Sequence, residues 1–341
     1  MCLIWTADQL LLSSYEFTKV QYSKGTQSIN SLFKAPIFAG MPKQENAPTF
    51  PEFVHPVTKE KLIWDDSGKL LFDKTSSDTF PVIDDLPILL PFSRDLNEAE
   101  KKYETHYQID AEEYDYFSAA EGQNERAEIE RLHQHIISEI PASAKTILDV
   151  GCGGGWLANA LLPKGKTVIS MDVSIINPQK TLKNFPHPNH FGLVADALYL
   201  PLREGSIDCI VASEIIEHVP DPAKFLGSIY TALAPGGKLI VTTPYNELIR
   251  YSLCIHCNQN TPHNAHLHSF KEESLIQKAP KQAINVRTQI INAKVFSLLR
   301  VLTLMDFLPY SVYKTLDRIA ITLTRKKAYR IMLTLEKPSK S

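Results

Sequence analysis

The sequence predicts an open α/β sheet, mainly parallel, of about seven strands with helices on both faces and a small β module before it. Two observations carry this prediction. Short apolar runs, several of them ending in an acidic residue, alternate with helical stretches over residues 146–338. A glycine-rich turn, GCGGG at 151–155, joins one apolar run to a helical stretch that begins at Trp156. Such alternation is typical of strand–helix–strand units.

The amino-terminal third divides into three parts. Residues 1–50 have no motif or consistent periodicity, and we expect a poorly ordered extension there. Residues 51–92 alternate short apolar pairs with turn signals and predict a small antiparallel β module. Residues 95–140 predict two helices, a polar one with several tyrosines and an amphipathic one.

Five predicted strands follow, and the first four have an acidic residue at or near the carboxyl end. They are TILDV at 146–150, a strand ending in Asp172, one followed by Asp196, one running into Glu214, and one at 233–246. Asp172 lies 21 residues after Gly151, a spacing typical of an acid that holds ribose hydroxyls. Trp156 stands where a dinucleotide fingerprint has its third glycine, which argues against NAD.

The carboxyl-terminal part predicts an insert at 247–270 and a sixth strand at 283–294. The apolar stretch 295–323 is expected to form two helices divided at Pro309, a helical cap. A last strand is expected at 328–338.

Charge is balanced overall but not along the chain. The 341 residues carry a net charge of −2, which excludes a purely electrostatic nucleic-acid binder. Residues 95–130 hold twelve acids against three bases, and residues 278–341 hold thirteen bases against three acids. These stretches predict two solvated faces or a basic region that meets an anionic surface. Five scattered cysteines do not form a disulfide pattern, and we expect a cytoplasmic protein.

The ordered motifs DVGCGGG, MD, AD, SIDCIVASEIIEHVPDPAKFL and LAPGGKLIVTTPY resemble class I S-adenosylmethionine-dependent methyltransferases, and among them the ubiquinone-type O-methyltransferases. The resemblance is strong over about residues 103–250. It implies a Rossmann-like methyltransferase domain over 95–341 with S-adenosylmethionine as cofactor. Residues 51–92 resemble a zinc-ribbon-like module that has lost its cysteines, with His55–Thr58 at the place of the cysteine pair.

The resemblance implies roles for the residues at the strand ends. Gly151, Gly153 and Gly155 would face the methionine part of the cofactor, and Asp149 would order the turn or hold the amino group. Asp172 would bind the ribose and Asp196, with the Ala197 amide, the adenine. Ser213 and Glu214 would line the floor beneath the sulfonium. An aromatic residue of the 95–120 helix, Tyr107 or Tyr114, would contact the cofactor or pack on the sheet edge.

Two groups of residues are candidates for catalysis or metal binding. Glu214, Glu217 and His218 would share one face if the strand ends in a helical turn. They could hold magnesium or zinc, His218 could be a general base, or the group could order the loop. Cys254, Cys257, His263 and His266 could bind zinc within the insert. Otherwise the insert forms a lid that brings His266 or His268 near the methyl group.

The acceptor is expected to be a small molecule, methylated on an oxygen of a phenol, quinone precursor or carboxylate. One alternative is a lipid or quinone methyltransferase that contacts the membrane peripherally through residues 295–330. Another is an RNA methyltransferase with the 51–92 module as its reader, but that module lacks a basic surface. A non-enzymatic scaffold would not need the glycine turn and its acids.

Overall fold

A computed structural model describes residues 52–118, 122–255, 257–305 and 307–339. The predicted extension at 1–50 lies outside the described residues. A small four-stranded antiparallel sheet comes first, in the order β1-β2-β3-β4. Its strands are β1 (Ile63–Trp64), β2 (Leu70–Phe72), β3 (Thr79–Ile83) and β4 (Leu86–Pro87).

The central sheet has seven strands, and a separate hairpin interrupts them. In chain order they are β5 (Thr146–Val150), β6 (Thr167–Asp172), β7 (His190–Val194), β8 (Ile207–Ser213), β9 (Leu233–Pro244), the hairpin β10 (Tyr251–Leu253) and β11 (Asn260–Pro262), then β12 (Ile284–Ala293) and β13 (Ala328–Glu336). The order across the sheet is β12-β13-β9-β8-β5-β6-β7. Only β13 runs against its neighbours. The predicted open, mainly parallel sheet is confirmed.

Strand β5 pairs with β6 on one side and with β8 on the other. The chain therefore runs from β5 through β6 to β7 at the edge of the sheet. It then crosses back to form β8 on the other side of β5. Open parallel sheets bind ligands at such a reversal, outside the carboxyl ends of the strands. The fold thus places one candidate site at the ends of β5, β6 and β8.

Helices cover both faces of the sheet. They are α1 (Glu98–Glu113), α2 (Gln123–Glu139), α3 (Trp156–Leu161), α4 (Ile176–Asn184), α5 (Pro222–Ala232), α6 (Glu272–Ile276), α7 (Lys294–Leu298) and α8 (Tyr310–Leu323). Leu132 of α2 and Leu157 of α3 join a core cluster on one face. Phe225 of α5 joins the larger cluster on the other face.

The 295–323 stretch differs from the expected pair of helices. Among the described residues of this stretch before Pro309, the helical elements are the short α7 and a 3-10 turn at Thr303–Met305. Pro309 is the residue that precedes the long helix α8, a position where its missing N–H costs nothing. In the part of the chain that the structure describes, no helix has the length and apolar content to cross a bilayer.

The β1–β4 module packs on the β7 edge of the central sheet. The amide of Leu89 donates to the carbonyl of Val194 (2.8 Å), and that of Val54 to Pro201 (3.0 Å). Buried side chains of the module share the main core with Leu193 of β7. The module therefore covers an edge strand that would otherwise expose unpaired backbone groups.

A buried, hydrogen-bonded histidine, His55, connects distant parts of the β1–β4 module. The His55 side chain is 2% exposed, and its Nδ1 accepts the amides of Val57 and Thr58, both at 3.1 Å. Its Nε2 therefore carries the proton and donates to Asp78 Oδ2 at 3.1 Å. Arg94 donates to the same oxygen at 2.5 Å. Burial opposes ionisation, yet the hydrogen bonds from Arg94 and His55 hold the pKa of Asp78 below its usual value.

We expect His55→Ala to destabilise the protein by about 1–3 kcal/mol, because two amides lose their acceptor and Asp78 loses a donor. Urea unfolding of the variant and the wild type measures this difference. His187→Ala is the matched control, since His187 is exposed and its ring accepts a hydrogen bond from the Asn189 amide. Equal stability of the two variants would contradict the structural role of His55.

Candidate active site

The turn after β5 requires glycine at its two ends. Gly151 and Gly155 have φ values of +70° and +72°. A Cβ on Gly151 would lie 2.2 Å from the Ile215 side chain, and one on Gly155 would lie 2.6 Å from that of Thr181. The amide of Gly151 donates to the carbonyl of Met171 (2.8 Å), which ties the turn to β6. The backbone can thus approach a ligand closely.

Three carboxyl groups are buried at the carboxyl ends of β5, β6 and β7. Asp149 and Asp196 are each 1% exposed. Asp172 accepts hydrogen bonds from the Ser174 amide (3.0 Å) and the Asn177 side chain (3.1 Å). Among the described residues, one oxygen of Asp149 and one of Asp196 have no hydrogen-bond partner. Buried polar atoms of this kind are usually satisfied, so these two oxygens mark a place for ligand donors.

Burial shapes the ionisation of these acids. Burial and, to a smaller extent, the nearby charge of Asp172 together raise the pKa of Asp149 to about 7. Burial also raises the pKa of Asp196 to about 7, against the opposing hydrogen bond from the Leu198 amide. The pKa of Asp172 is raised by the same cause. A ligand with hydroxyl donors and positive charge would compensate all three groups.

Helix α1 and the residues after it cover these acids. The Tyr116 ring would lie 3.5 Å from a Cβ on Gly153, so it packs directly on the glycine turn. Tyr107 packs edge-on against His218 with 5.6 Å between ring centroids, and its hydroxyl has no partner in the described chain. Tyr114 is instead 60% exposed. Of the two tyrosines proposed from the sequence, Tyr107 lies at the site.

The floor residues lie at the end of β8. The hydroxyl of Ser213 is 3.0 Å from that of Thr242. Glu214 has a φ of +58°, which breaks the expected helical turn, and its Oε2 is 2.5 Å from Arg330 Nε. Glu214 therefore pairs with Arg330, and the expected metal group of Glu214, Glu217 and His218 is not formed as a set.

A different trio comes together in its place. Ligand atoms of Glu217, His218 and His266 lie within 4.8 Å of one another. Burial, with the neighbouring charge of Glu214, raises the pKa of Glu217 well above its usual value. Burial also lowers the pKa of His218 to about 4, and His266 adds to the shift. We call Glu217, His218 and His266 the carboxylate–histidine group.

Outer hydrogen bonds orient both imidazoles of the carboxylate–histidine group. His266 Nδ1 is 2.5 Å from Glu247 Oε2, and His218 Nδ1 is 3.4 Å from the Ala265 carbonyl. With these acceptors the proton belongs on Nδ1, and each Nε2 keeps a lone pair. Thr243 Oγ1 donates to Glu217 Oε2 (2.9 Å), while Glu217 Oε1 has no partner among the described residues. Histidine ligands of metals are typically held in this way.

The cysteine group of the insert is not assembled. Within the described residues, the only cluster of potential metal ligands is the carboxylate–histidine group, so Cys254, Cys257 and His263 do not join His266. His263 Nε2 lies 2.5 Å from the Ser252 hydroxyl. Positive φ at Asn264 and Ala265 turns the chain and carries His266 away toward His218. His268 Nε2 lies 3.0 Å from the Val219 carbonyl, a loop contact.

Several site residues were not foreseen from the sequence. Glu247, Glu104 and Tyr116 reach the site only through tertiary contacts. Burial, together with the smaller effect of the nearby charge of Asp196, raises the pKa of Glu104 to about 9. Lys59 of the β1–β4 module donates to the Leu200 carbonyl (3.1 Å), and burial lowers its pKa to about 8. The sequence feature that could have pointed to Tyr116 was the series of tyrosines in the acidic stretch 95–130.

Known proteins match this chain in the same region. Residues 122–282 match the family model of a methyltransferase domain. The ubiquinone biosynthesis O-methyltransferase of Xylella fastidiosa is 32% identical over 127 residues, 36% of this chain and 50% of that protein. The protein of the same name from Coxiella burnetii is 33% identical over 146 residues, 40% of this chain and 62% of that protein. The match therefore assigns a methyltransferase domain to residues 122–282 of this chain.

The chain thus spans about half to three fifths of the length of these curated relatives. Among solved structures, Haemonchus contortus phosphoethanolamine N-methyltransferase 2 in complex with S-adenosyl-L-methionine has a TM-score of 0.45 and 16% identity. That alignment covers 73% of this chain and 62% of the other.

S-adenosylmethionine is the cofactor that the sequence resemblance implies for this domain. The residues present fit this group on two observations. The glycine turn leaves no room for side chains, and the free oxygens of Asp149 and Asp196 lack donors among the described residues. Asp172, at the end of β6, has the position of the ribose-binding acid.

Gly154→Ala should weaken cofactor binding, because its Cβ would lie 2.3 Å from the Tyr116 carbonyl oxygen and displace the cover over the site. Calorimetric titration with S-adenosylhomocysteine measures the affinity. Gly227→Ala is the control, since nothing lies within 4 Å of its Cβ position in helix α5. Unchanged affinity in Gly154→Ala would show that the cover does not help to bind the cofactor.

Cofactor binding should release protons near neutral pH. Asp149 and Asp196 have raised pKa values of about 7, and a cationic ligand favours their ionised forms. Affinity should therefore fall from about pH 8 to pH 6, by at most about tenfold per pH unit for each group. Titration at neutral pH in buffers of different ionisation enthalpy counts the protons.

Cofactor binding to the Asp149→Asn variant should release fewer protons than cofactor binding to the wild type. Equal apparent enthalpies in all buffers, together with a flat pH profile, would contradict the raised pKa values.

Proposed function

We propose that the protein transfers the methyl group of S-adenosylmethionine to an oxygen atom of a small molecule, a phenol or a quinone precursor. The observation that carries the proposal is the carboxylate–histidine group, buried at the same edge of the sheet as the cofactor acids. An acceptor hydroxyl placed there would lie near Glu214, which is expected beneath the sulfonium, and near Tyr107, which is expected to contact the cofactor. Holding the nucleophile in line with the methyl group supplies much of the rate in such a displacement.

The carboxylate–histidine group is better suited to hold a divalent cation than to act as a lone base. Glu217 Oε1 is free among the described residues and lies 4.0 Å from His218 Nε2. Both imidazoles donate their Nδ1 protons outward, which leaves each Nε2 for the cation. Two imidazoles with one carboxylate favour zinc or another first-row transition ion over magnesium.

The protein's own residues would then do three things. Glu217, His218 and His266 would hold the cation, which lowers the pKa of a hydroxyl bound to it. Thr243 fixes the Glu217 carboxylate through its hydrogen bond. Tyr107 and the rest of α1 would exclude water above the acceptor, which strengthens the electrostatic interactions inside.

The curated relatives support an oxygen acceptor, since both are named ubiquinone biosynthesis O-methyltransferases. A membrane-bound lipid or quinone acceptor is the second candidate, and the exposed apolar surface of helix α8 favours it. An RNA acceptor is less well supported, because the β1–β4 module uses its apolar side chains to pack on the domain core.

The test is transfer of labelled methyl groups to a panel of phenols, quinone precursors and carboxylic acids, with and without added zinc. We expect methylation of a phenolic acceptor and about one bound ion per chain. Glu247→Gln should lower metal affinity about 10- to 100-fold, because Glu247 orients His266.

The double variant Cys254→Ser/Cys257→Ser is the matched control and should bind the metal normally. Loss of metal in the cysteine variant but not in Glu247→Gln would assign the site to the insert instead. Carboxylic acids methylated in preference to every phenol would reject the proposed acceptor class.

A further inference from the structure

Helix α8 has an inner face that anchors it to the domain. Tyr313, Asp317 and Ile321, spaced four residues apart, are buried. Asp317 accepts the amides of Asn292 (3.1 Å) and Ala293 (2.7 Å) at the end of β12. The folded domain therefore determines which side of the helix faces outward.

The outward side carries a second apolar stripe that the core does not use. Val312, Leu316, Ile319 and Leu323 are separated by four, three and four residues, so they share one face. They are 44%, 38%, 50% and 78% exposed. We call these four residues the outer stripe. Phe307, in the turn before the helix, is 81% exposed. A contiguous apolar surface of this kind marks an interaction site.

The segment that carries the outer stripe is rich in basic residues. Residues 294–327 contain seven Lys and Arg against two acids, Asp306 and Asp317. Asp317 is 2% exposed and bonded to β12, so its charge does not face solvent. Arg318, Arg325 and Lys326, together with one acid, Glu272, line a groove of about 590 Å³ between α8, β12 and α6. Lys326 also pairs with Glu272 at 2.6 Å.

The surface projects from the same edge of the sheet as the candidate active site. Strand β12 runs parallel to β8 and β9, so α7 starts at the edge where Glu214 lies. The amide of Lys294 donates to the carbonyl of Lys327 (3.1 Å). This hydrogen bond joins the two ends of the segment 294–327. Arg330, three residues farther on, pairs with Glu214.

We propose that the outer stripe docks on an anionic lipid bilayer. Val312, Leu316, Ile319 and Leu323 enter the acyl region, and the groove of Arg318 and Arg325 receives a phosphodiester headgroup. The charge favours a bilayer over a second copy of the chain, because a symmetric dimer through this face would oppose two basic surfaces. An apolar stripe bordered by Lys and Arg is what interfacial helices present to anionic membranes. The docking does not depend on methyl transfer.

The experiment is co-sedimentation of the full chain with phosphatidylcholine vesicles, with and without phosphatidylglycerol. We expect binding to the anionic vesicles that weakens as salt is added. Leu316→Gln/Leu323→Gln and Arg318→Gln/Arg325→Gln should each weaken this binding by about tenfold or more. Ile83→Gln and Lys69→Gln are matched controls from the β1–β4 module, with exposed side chains far along the chain from α8.

Three outcomes would overturn the proposal. The wild type could fail to bind anionic vesicles or bind neutral ones equally. The stripe and groove variants could bind like the controls. The stripe variants could instead abolish a dimer seen by size-exclusion chromatography without changing vesicle binding, which would assign the face to self-association. Thermal unfolding and S-adenosylhomocysteine binding, unchanged in every variant, separate these results from misfolding and from failure of the catalytic proposal.

Discussion

Four carboxyl groups, those of Asp149, Asp172, Asp196 and Glu217, are buried at one edge of the central sheet, where burial raises the pKa of each. Charged carboxylates in such surroundings need cations or hydrogen-bond donors to be stable. The positive sulfonium and amino groups of the cofactor and its ribose hydroxyls would supply both at the three aspartates, and the proposed divalent cation would do so at Glu217. Because ligands bind only the folded state, the same interactions that form the site also stabilise the domain.

Two elements outside the central sheet, helix α1 and the β1–β4 module, pack around this edge. Helix α1 lies over the acids through Tyr107 and Tyr116, and Glu100 connects it to α5 by a 2.7 Å ion pair with Lys224. The β1–β4 module protects the β7 edge and extends Lys59 toward the loop after Asp196. The module thus contributes to the surroundings of the cofactor site without contributing a strand to the central sheet.

The glycine turn and the three acids at strand ends could be predicted because each is encoded within a few residues of its strand. Within the carboxylate–histidine group, Glu217 and His218 could be proposed from the sequence, but their association with His266 could not. The members of the group come from two loops, and the expected partners of His266 were the cysteines next to it in the chain. The left-handed conformations at Asn264 and Ala265 and the bonds from the Leu267 and His268 amides to the Glu217 carbonyl bring His266 to His218 instead.

Short-range features can therefore be predicted from the sequence by itself. They are the order of strands and helices, the glycine turn, and the acids at the strand ends. These follow from steric rules and side-chain periodicity that act between near neighbours. Which distant loops meet, which side chain pairs with Glu214, and which face of α8 remains exposed depend on packing between segments far apart in sequence. Those contacts form only once the core has assembled, because their free energy comes from burial that no single segment achieves alone.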